Sequence, residues 1–200
     1  MDVEKTIQNL RKRGFLARYF DTKEACAAYI AQTVKGTTVG FGGSVTARDM
    51  GLYELLGKEN EVSWHWKSAD RLKAQEKAAG AKVYIQSVNA LAETGELVNI
   101  DGNGNRVAAM FYGHERVIFV VGVNKLALDL QSAIDRARNV ASPLNARRLK
   151  RNTPCALSEP MRCHDCASPE RICSGLAILM EKMHSIPVTE VLLIGESLGY

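Results

Sequence analysis

Residues 37–56 read TTVGFGGSVTARDMGLYELL, and their reading decides the fold. Thr37 to Phe41 is a short β-branched strand. It runs straight into the glycine turn Gly42-Gly43-Ser44-Val45-Thr46, and Ala47 to Leu56 then carries an apolar stripe at Leu52, Leu55 and Leu56. Strand, glycine turn, hydroxyl cap and helix in that order describe one unit of an α/β sheet. The glycines let the backbone approach a ligand closely, and the free N–H groups of a helix start favour an anion. Ser44 and Thr46 can cap that helix or donate to a phosphate or carboxylate. The turn lacks the Gly-Lys-Ser/Thr ending of a Walker loop and the full dinucleotide fingerprint, so a purely structural turn stays open beside the anion-binding one.

Outward from this unit the alternation continues. Asp2 to Lys12 is expected as a helix with Val3, Ile7 and Leu10 on one face. Asp21 is expected to cap a second helix, with Glu24 in the reciprocal position. Glu61–Trp66 and Lys82–Gln86 read as strands, with a helix capped by Ser68 and stopped by Gly80 between them. Arg116 to Gly122, RVIFVVG, is the near-continuous apolar run of a central parallel strand covered on both faces. Asp129 to Val140 reads as a clean helix. Strands alternating with helices give an α/β fold with a mainly parallel sheet flanked by helices, whose ligands gather at the C-terminal ends of the strands. Leu176–Met180 and Val191–Gly195 read as two further strands that could pair with each other. The expected organisation is an α/β domain over 1–151, a Cys-rich segment over 152–174, and strands over 175–200 that return to the same domain.

The chain has 200 residues, 46% hydrophobic and 24% charged, with net charge +4. That is ordinary composition for a globular domain, and too weakly basic to argue for nucleic acid. Arg136, Arg138, Arg147, Arg148, Lys150 and Arg151 form the one basic concentration. Such a run is either a solvated helix face or a site for an anion. MDVEKTIQNLRKRGF has no apolar leader, and no window reaches the roughly 18 apolar residues of a membrane span. A cytoplasmic location without a membrane partner is expected. The oligomeric state stays open, a homo-oligomer included.

Two stretches carry candidate chemistry. Residues 93–109, ETGELVNIDGNGNRVAA, place Glu93, Glu96 and Asp101 around a short strand and follow them with a Gly/Asn turn. The turn is either an ordinary hairpin or a lip that faces a ligand. From Asn152 the character changes to NTPCALSEPMRCHDCASPERIC, with Cys155, Cys163, Cys166 and Cys173 close together and three prolines among them. Four thiolates suit a zinc ion or an iron–sulfur cluster, although only one CxxC knuckle is present; a redox pair and free thiols are the alternatives. No flavin or nicotinamide motif is found.

GFGGSVT, ETGELVNIDGNGNRVAAM, VGVNKL and SPLNARRL together resemble the lactate-utilisation (LUD) domain family, and NTPC, CHDC, SPERIC and the final ESLGY resemble its branch with a cysteine-bearing extension. The resemblance runs from about Val39 to Tyr200. It implies a fold like ribose-5-phosphate isomerase and the CoA transferases. It also implies an anion-binding loop at Gly42, Gly43, Ser44 and Thr46, and a substrate loop that includes Glu93, Glu96, Asn99 and Asp101. Asn124-Lys125 would offer a lysine to an anionic substrate. The implied role is an accessory or ligand-binding component of L-lactate oxidation beside iron–sulfur partner subunits. The alternative is a stand-alone isomerase-like or CoA-transferase-like enzyme on a small carboxylate or phosphate-bearing metabolite. In that enzyme Glu93 or Asp101 would be the general base and Lys125 would hold the anion.

Overall fold

The computed structural model describes residues 1–200. Helix α1 (Val3–Lys12) begins where the Asp2 carboxylate accepts from the Lys5 N–H, and it turns Ile7 and Leu10 inward. Strand β1 (Leu16–Phe20) and helix α2 (Lys23–Thr33) follow. Thr22 rather than Asp21 caps α2, because its hydroxyl is the group that reaches the Ala25 N–H. After β2 (Thr38–Phe41) the helix expected over 47–56 is two short ones, α3 (Val45–Asp49) and α4 (Leu52–Leu56). Gly51, at φ +63°, breaks it there. Strand β3 (Glu61–Trp64), helix α5 (Arg71–Ala79) and strand β4 (Val83–Gln86) come next; Asp70, not Ser68, caps α5.

The chain then leaves the main sheet for β5 (Ala90–Ala92), β6 (Leu97–Asp101) and α6 (Asn105–Phe111). It returns through β7 (Arg116–Gly122), leaves again for the two-residue β8 (Leu126–Ala127), and enters α7 (Leu130–Arg136). A π-helical turn at Ala137–Ala141 joins α7 to α8 (Ser142–Arg148). Residues 149–174 are mostly irregular, with one short helix, α9 (Pro154–Leu157), before β9 (Gly175–Leu179) and β10 (Val188–Ile194).

Six strands form a wholly parallel sheet in the order β1-β10-β7-β4-β2-β3. The period of two along each strand feeds two cores. In β7, Val117, Phe119 and Val121 join the core that holds Ile7 and Leu10 of α1, while Ile118 and Val120 join the one that holds Ile30 of α2 and Leu52 of α4. β10 divides its side chains in the same way, Val191 and Leu193 to the first core, Leu192 and Ile194 to the second. Helices therefore cover both faces, as the unbroken apolar reading of β7 requires.

A second sheet, β8-β5-β6-β9, lies beside the first. Here the structure corrects the expected pairing of the two last strands. β9 runs antiparallel to β6 in the small sheet, whereas β10 lies between β1 and β7 in the large one. Between residues 38 and 86 the chain runs from β2 outward to β3, then crosses to the far side of β2 to form β4. Such a reversal opens a crevice at the C-terminal ends of the two strands.

Candidate anion site

A cavity of about 380 Å³ occupies that crevice. Four adjacent strands of the sheet, β7, β4, β2 and β3, each hand it a residue from the loop at the C-terminal end. β2 leads to Gly43 and Ser44, β3 to His65 and Trp66, β4 to Ser87, and β7 to Lys125. The turn after β6 supplies Asp101 and Arg106 from the opposite side, and the irregular segment closes the wall with Glu170 and Arg171. Five arginines (Arg71, Arg106, Arg148, Arg151, Arg171) and Lys125 line the cavity against two acidic side chains, Asp101 and Glu170. That excess, around a concave low-dielectric wall, makes a field for anions.

Lys125 is the most unusual of these groups. It is 3% exposed, and no carboxylate pairs with it. Its Nζ donates to Thr46 Oγ1 at 2.9 Å and to Ser87 Oγ at 2.8 Å. Both hydroxyls have already given up their own protons, Ser87 to the Val120 carbonyl at 2.6 Å and Thr46 to the Leu198 carbonyl at 3.2 Å. They can therefore only accept from the lysine. Burial pushes the Lys125 pKa down to about 7, and the nearby Arg136 and Arg106 push the same way.

Around it the wall is held by short polar links. Asp101 accepts from the backbone N–H of Asn103 and of Arg106, and it faces Arg106 Nε at 3.5 Å. Arg106 also reaches Asn99 Oδ1 and the Ile100 carbonyl. Arg148 lies over the Trp66 ring, 5.0 Å from its centroid, and Trp66 also stacks on Trp64 at 5.3 Å and meets His65 edge-on at 6.0 Å. Arg171 is clamped by the carbonyls of Cys166 and Cys173. His65 is 7% exposed with Nδ1 unpartnered, and burial together with Arg71 lowers its pKa.

The residues singled out in the sequence divide between the cavity and its supports. Gly43, Ser44, Asp101 and Lys125 line it, and Thr46 touches it through Lys125. Ser44 caps α3 through the Ala47 N–H, so its hydroxyl oxygen is already partly committed. A Cβ on Gly42 would come 2.9 Å from Arg106 Cγ, which places that glycine under the cavity's arginine. Asn99 is fully buried and ties β6 to the Ser87–Asn89 loop. Asn124 accepts from the Leu198 N–H and donates to the Gly199 carbonyl, and so pins residues 198–199 over the site. Glu93 and Glu96 are not in the cavity. Glu93 accepts from Lys5 Nζ and from the Asp2 N–H, and Glu96 pairs with Arg13. The sequence reading did not single out Arg71, Arg106 or Arg171; each is an isolated arginine with no local signal. Arg148 and Arg151 belong to the basic run over 136–151.

The four thiols of the irregular segment are half-buried and free, and no three His, Cys, Asp or Glu side chains stand together as a metal site would need. As placed, the donor set does not fit a shared ion or cluster. No helix is long and apolar enough to cross a membrane.

A crystal structure of a DUF162 family protein from Deinococcus radiodurans superposes with a TM-score of 0.56 over 96% of each chain at 11% sequence identity, which is a likeness of fold. No curated protein matches the chain. The LUD domain model matches residues 3–194, nearly the whole chain, and with the doubly covered parallel sheet in place the protein belongs to the LUD domain family.

Proposed function

We propose that this LUD-domain protein binds a small carboxylate- or phosphate-bearing metabolite in the cavity at the ends of β2, β4 and β7. The observation that carries the reading is the convergence of five arginines and the buried Lys125 on one cavity with only two opposing acidic side chains. Membership of the LUD domain family supports a link to lactate utilisation, and on this reading the chain would serve as an accessory, ligand-binding component of L-lactate oxidation with iron–sulfur partner subunits. A second reading, a stand-alone enzyme on a phosphorylated metabolite, draws on the same charge. A lone carboxylate needs one arginine fork, whereas Arg71 and Arg151 both line the wall without a protein partner.

Calorimetry with L-lactate, pyruvate, inorganic phosphate, a sugar phosphate and CoA separates these readings. Binding of lactate or pyruvate supports the first; selective binding of phosphate compounds supports the second. Silence from all five, in a chain shown to be folded, sinks both. Loss of growth on lactate after deletion of the gene would tie the first reading to the cell.

The metal reading of Cys155, Cys163, Cys166 and Cys173 is a separate proposal. What supports it is the soft donor set and the local turn at Asp165 (φ +46°), whose N–H donates to Cys163 Sγ at 3.4 Å. Binding would require residues 155–173 to draw together. Metal analysis and an absorption spectrum of anaerobically purified protein test it, and a metal-free, colourless preparation that takes up neither zinc nor iron would refute it.

A further inference from the structure

Lys125 has one bonding direction that the protein leaves unused. Two of its N–H groups go to Thr46 and Ser87, whose hydroxyls are locked as acceptors by the carbonyls of Leu198 and Val120. No carboxylate neutralises it, and its side chain borders the cavity. The charged groups acting on it are Arg136 from α7 and Arg106 from α6, both repelling a proton, and Asp49 from α3, a smaller opposing influence. An amine held by two acceptors, on a residue that lines a cavity, keeps either a third N–H or a lone pair. A neutral amine in such a position is a nucleophile for carbonyl carbon.

We propose that Lys125 is a carbonyl-capturing amine, condensing reversibly with the aldehyde or ketone of a phosphorylated small molecule seated among the cavity's arginines. The proposal rests on the anion-binding reading above and adds a covalent step to it. The Nζ lone pair attacks the carbonyl carbon, and as the C=O π bond opens the carbonyl oxygen takes up the proton that the nitrogen releases. The resulting carbinolamine then loses its oxygen as water after a second protonation, and the nitrogen keeps one hydrogen in a protonated imine. One amine, one carbonyl and one proton give one iminium and one water, with no oxidation or reduction. The depressed basicity of the lysine leaves a substantial neutral fraction near pH 7. The arginines of the wall, Arg71 and Arg151 among them, would hold the phosphate. Burial among Thr46, Ser87 and the backbone at Gly199 limits the lysine to substrates that enter the cavity.

The test uses the full chain with pyridoxal 5′-phosphate, an aldehyde and a phosphate in one molecule, trapped with borohydride and located by peptide mass mapping. Pyridoxal without its phosphate is the control. The expected result is a single adduct at Lys125, formed at least tenfold faster with the phosphorylated aldehyde and half-maximal near neutral pH rather than near pH 10. It should be suppressed by excess inorganic phosphate and absent in Lys125→Arg. An adduct spread over surface lysines, with no preference for Lys125 and none for the phosphate, overturns the proposal; mapping the wild-type chain makes this readable even if the variant folds poorly. Calorimetry with inorganic phosphate separates the two layers. Phosphate binding without an imine removes the covalent step and leaves the binding reading; absence of both removes both.

Discussion

The Glu93 carboxylate accepts from Lys5 Nζ at 2.7 Å, an ion pair that spans 88 residues of chain. Its other oxygen accepts from the Asp2 N–H at 2.8 Å. Both contacts fasten α1 to the turn after β5, and they hold the Glu93 carboxyl below its ordinary range, the Lys5 hydrogen bond most of all. Glu93→Gln should therefore lower the melting temperature and leave ligand binding in the cavity unchanged. The wild-type advantage is present at neutral pH and fades as the pH falls through the depressed folded-state value. Melting curves at pH 7 and pH 4 beside one calorimetric titration check this, and a lost ligand would restore Glu93 to the site.

Asp101 should behave oppositely. Helix α6 starts at Gly104, which has no side chain to cap it, and Asp101 takes over by accepting from the Arg106 N–H at 3.0 Å. Asp101→Ala is expected to cost about 1–2 kcal/mol, the worth of a cap. It also releases Arg106 into the cavity, so anion affinity should change along with stability.

Lys125 makes stability depend on pH with a definite sign. Its folded pKa of about 7 lies below the ordinary lysine value of 10.5, so between those values the unfolded chain binds more protons than the folded one. Stability from this group thus rises with pH across that window, approaching roughly 1.4 kcal/mol per pH unit within it. Lys125→Met should flatten the rise and make the protein more stable than wild type at pH 6. Denaturant titrations at pH 6, 8 and 10 decide the matter, and parallel curves for the two proteins would refute it.

Gly199 sits at φ +62°, and a Cβ there would lie 2.7 Å from Thr46 Oγ1 and 3.3 Å from Lys125 Nζ. Gly199→Ala should cost about 1–2 kcal/mol from the left-handed backbone alone. It should also weaken anion binding several-fold by displacing Thr46, one of the two residues that hold the lysine, and the lysine itself. Gly36, also left-handed at φ +62° but with nothing within 4 Å of its Cβ, is the control. Gly36→Ala should show the backbone penalty without the binding defect.

Cysteine chemistry should separate one thiol from four. Cys26 is fully buried, and burial pushes its pKa up to about 12, so it should resist modification in the native state. Cys155, Cys163, Cys166 and Cys173 are partly exposed and should react. A disulfide-exchange reagent should count four thiols natively and five after unfolding.

The parts of the fold that were legible carry their signal locally. β7 announces itself by the six residues after Arg116, none of them polar, and α3 by Ser44, a cap that needs only its own helix. β1 was not legible, because as an edge strand it buries only Ala17 and shows no alternation. Which sheet β9 and β10 join was not legible either, since apolar period says nothing of a partner. The same limit divides the site. The glycine turn and Lys125 were visible from their own neighbourhoods. Glu93 looked catalytic because its partner Lys5 is invisible at that distance, and Arg71, Arg106 and Arg171 meet only once the two sheets are assembled.

The position of β10 has a kinetic consequence. It is sixth of the six main-sheet strands in chain order, yet it lies between β1 and β7, pairing with both along its length. Until residues 188–194 arrive, β1 has no neighbour at all in the sheet, and β7 presents an open edge of apolar residues. Pairing Leu16 with Glu190 closes a very long loop, and such non-local closure slows folding. A chain still being synthesised would therefore carry an unfilled slot between β1 and β7. The shelf formed by Asn124, Leu198 and Gly199 would set last, so the lysine's environment matures only when folding is finished.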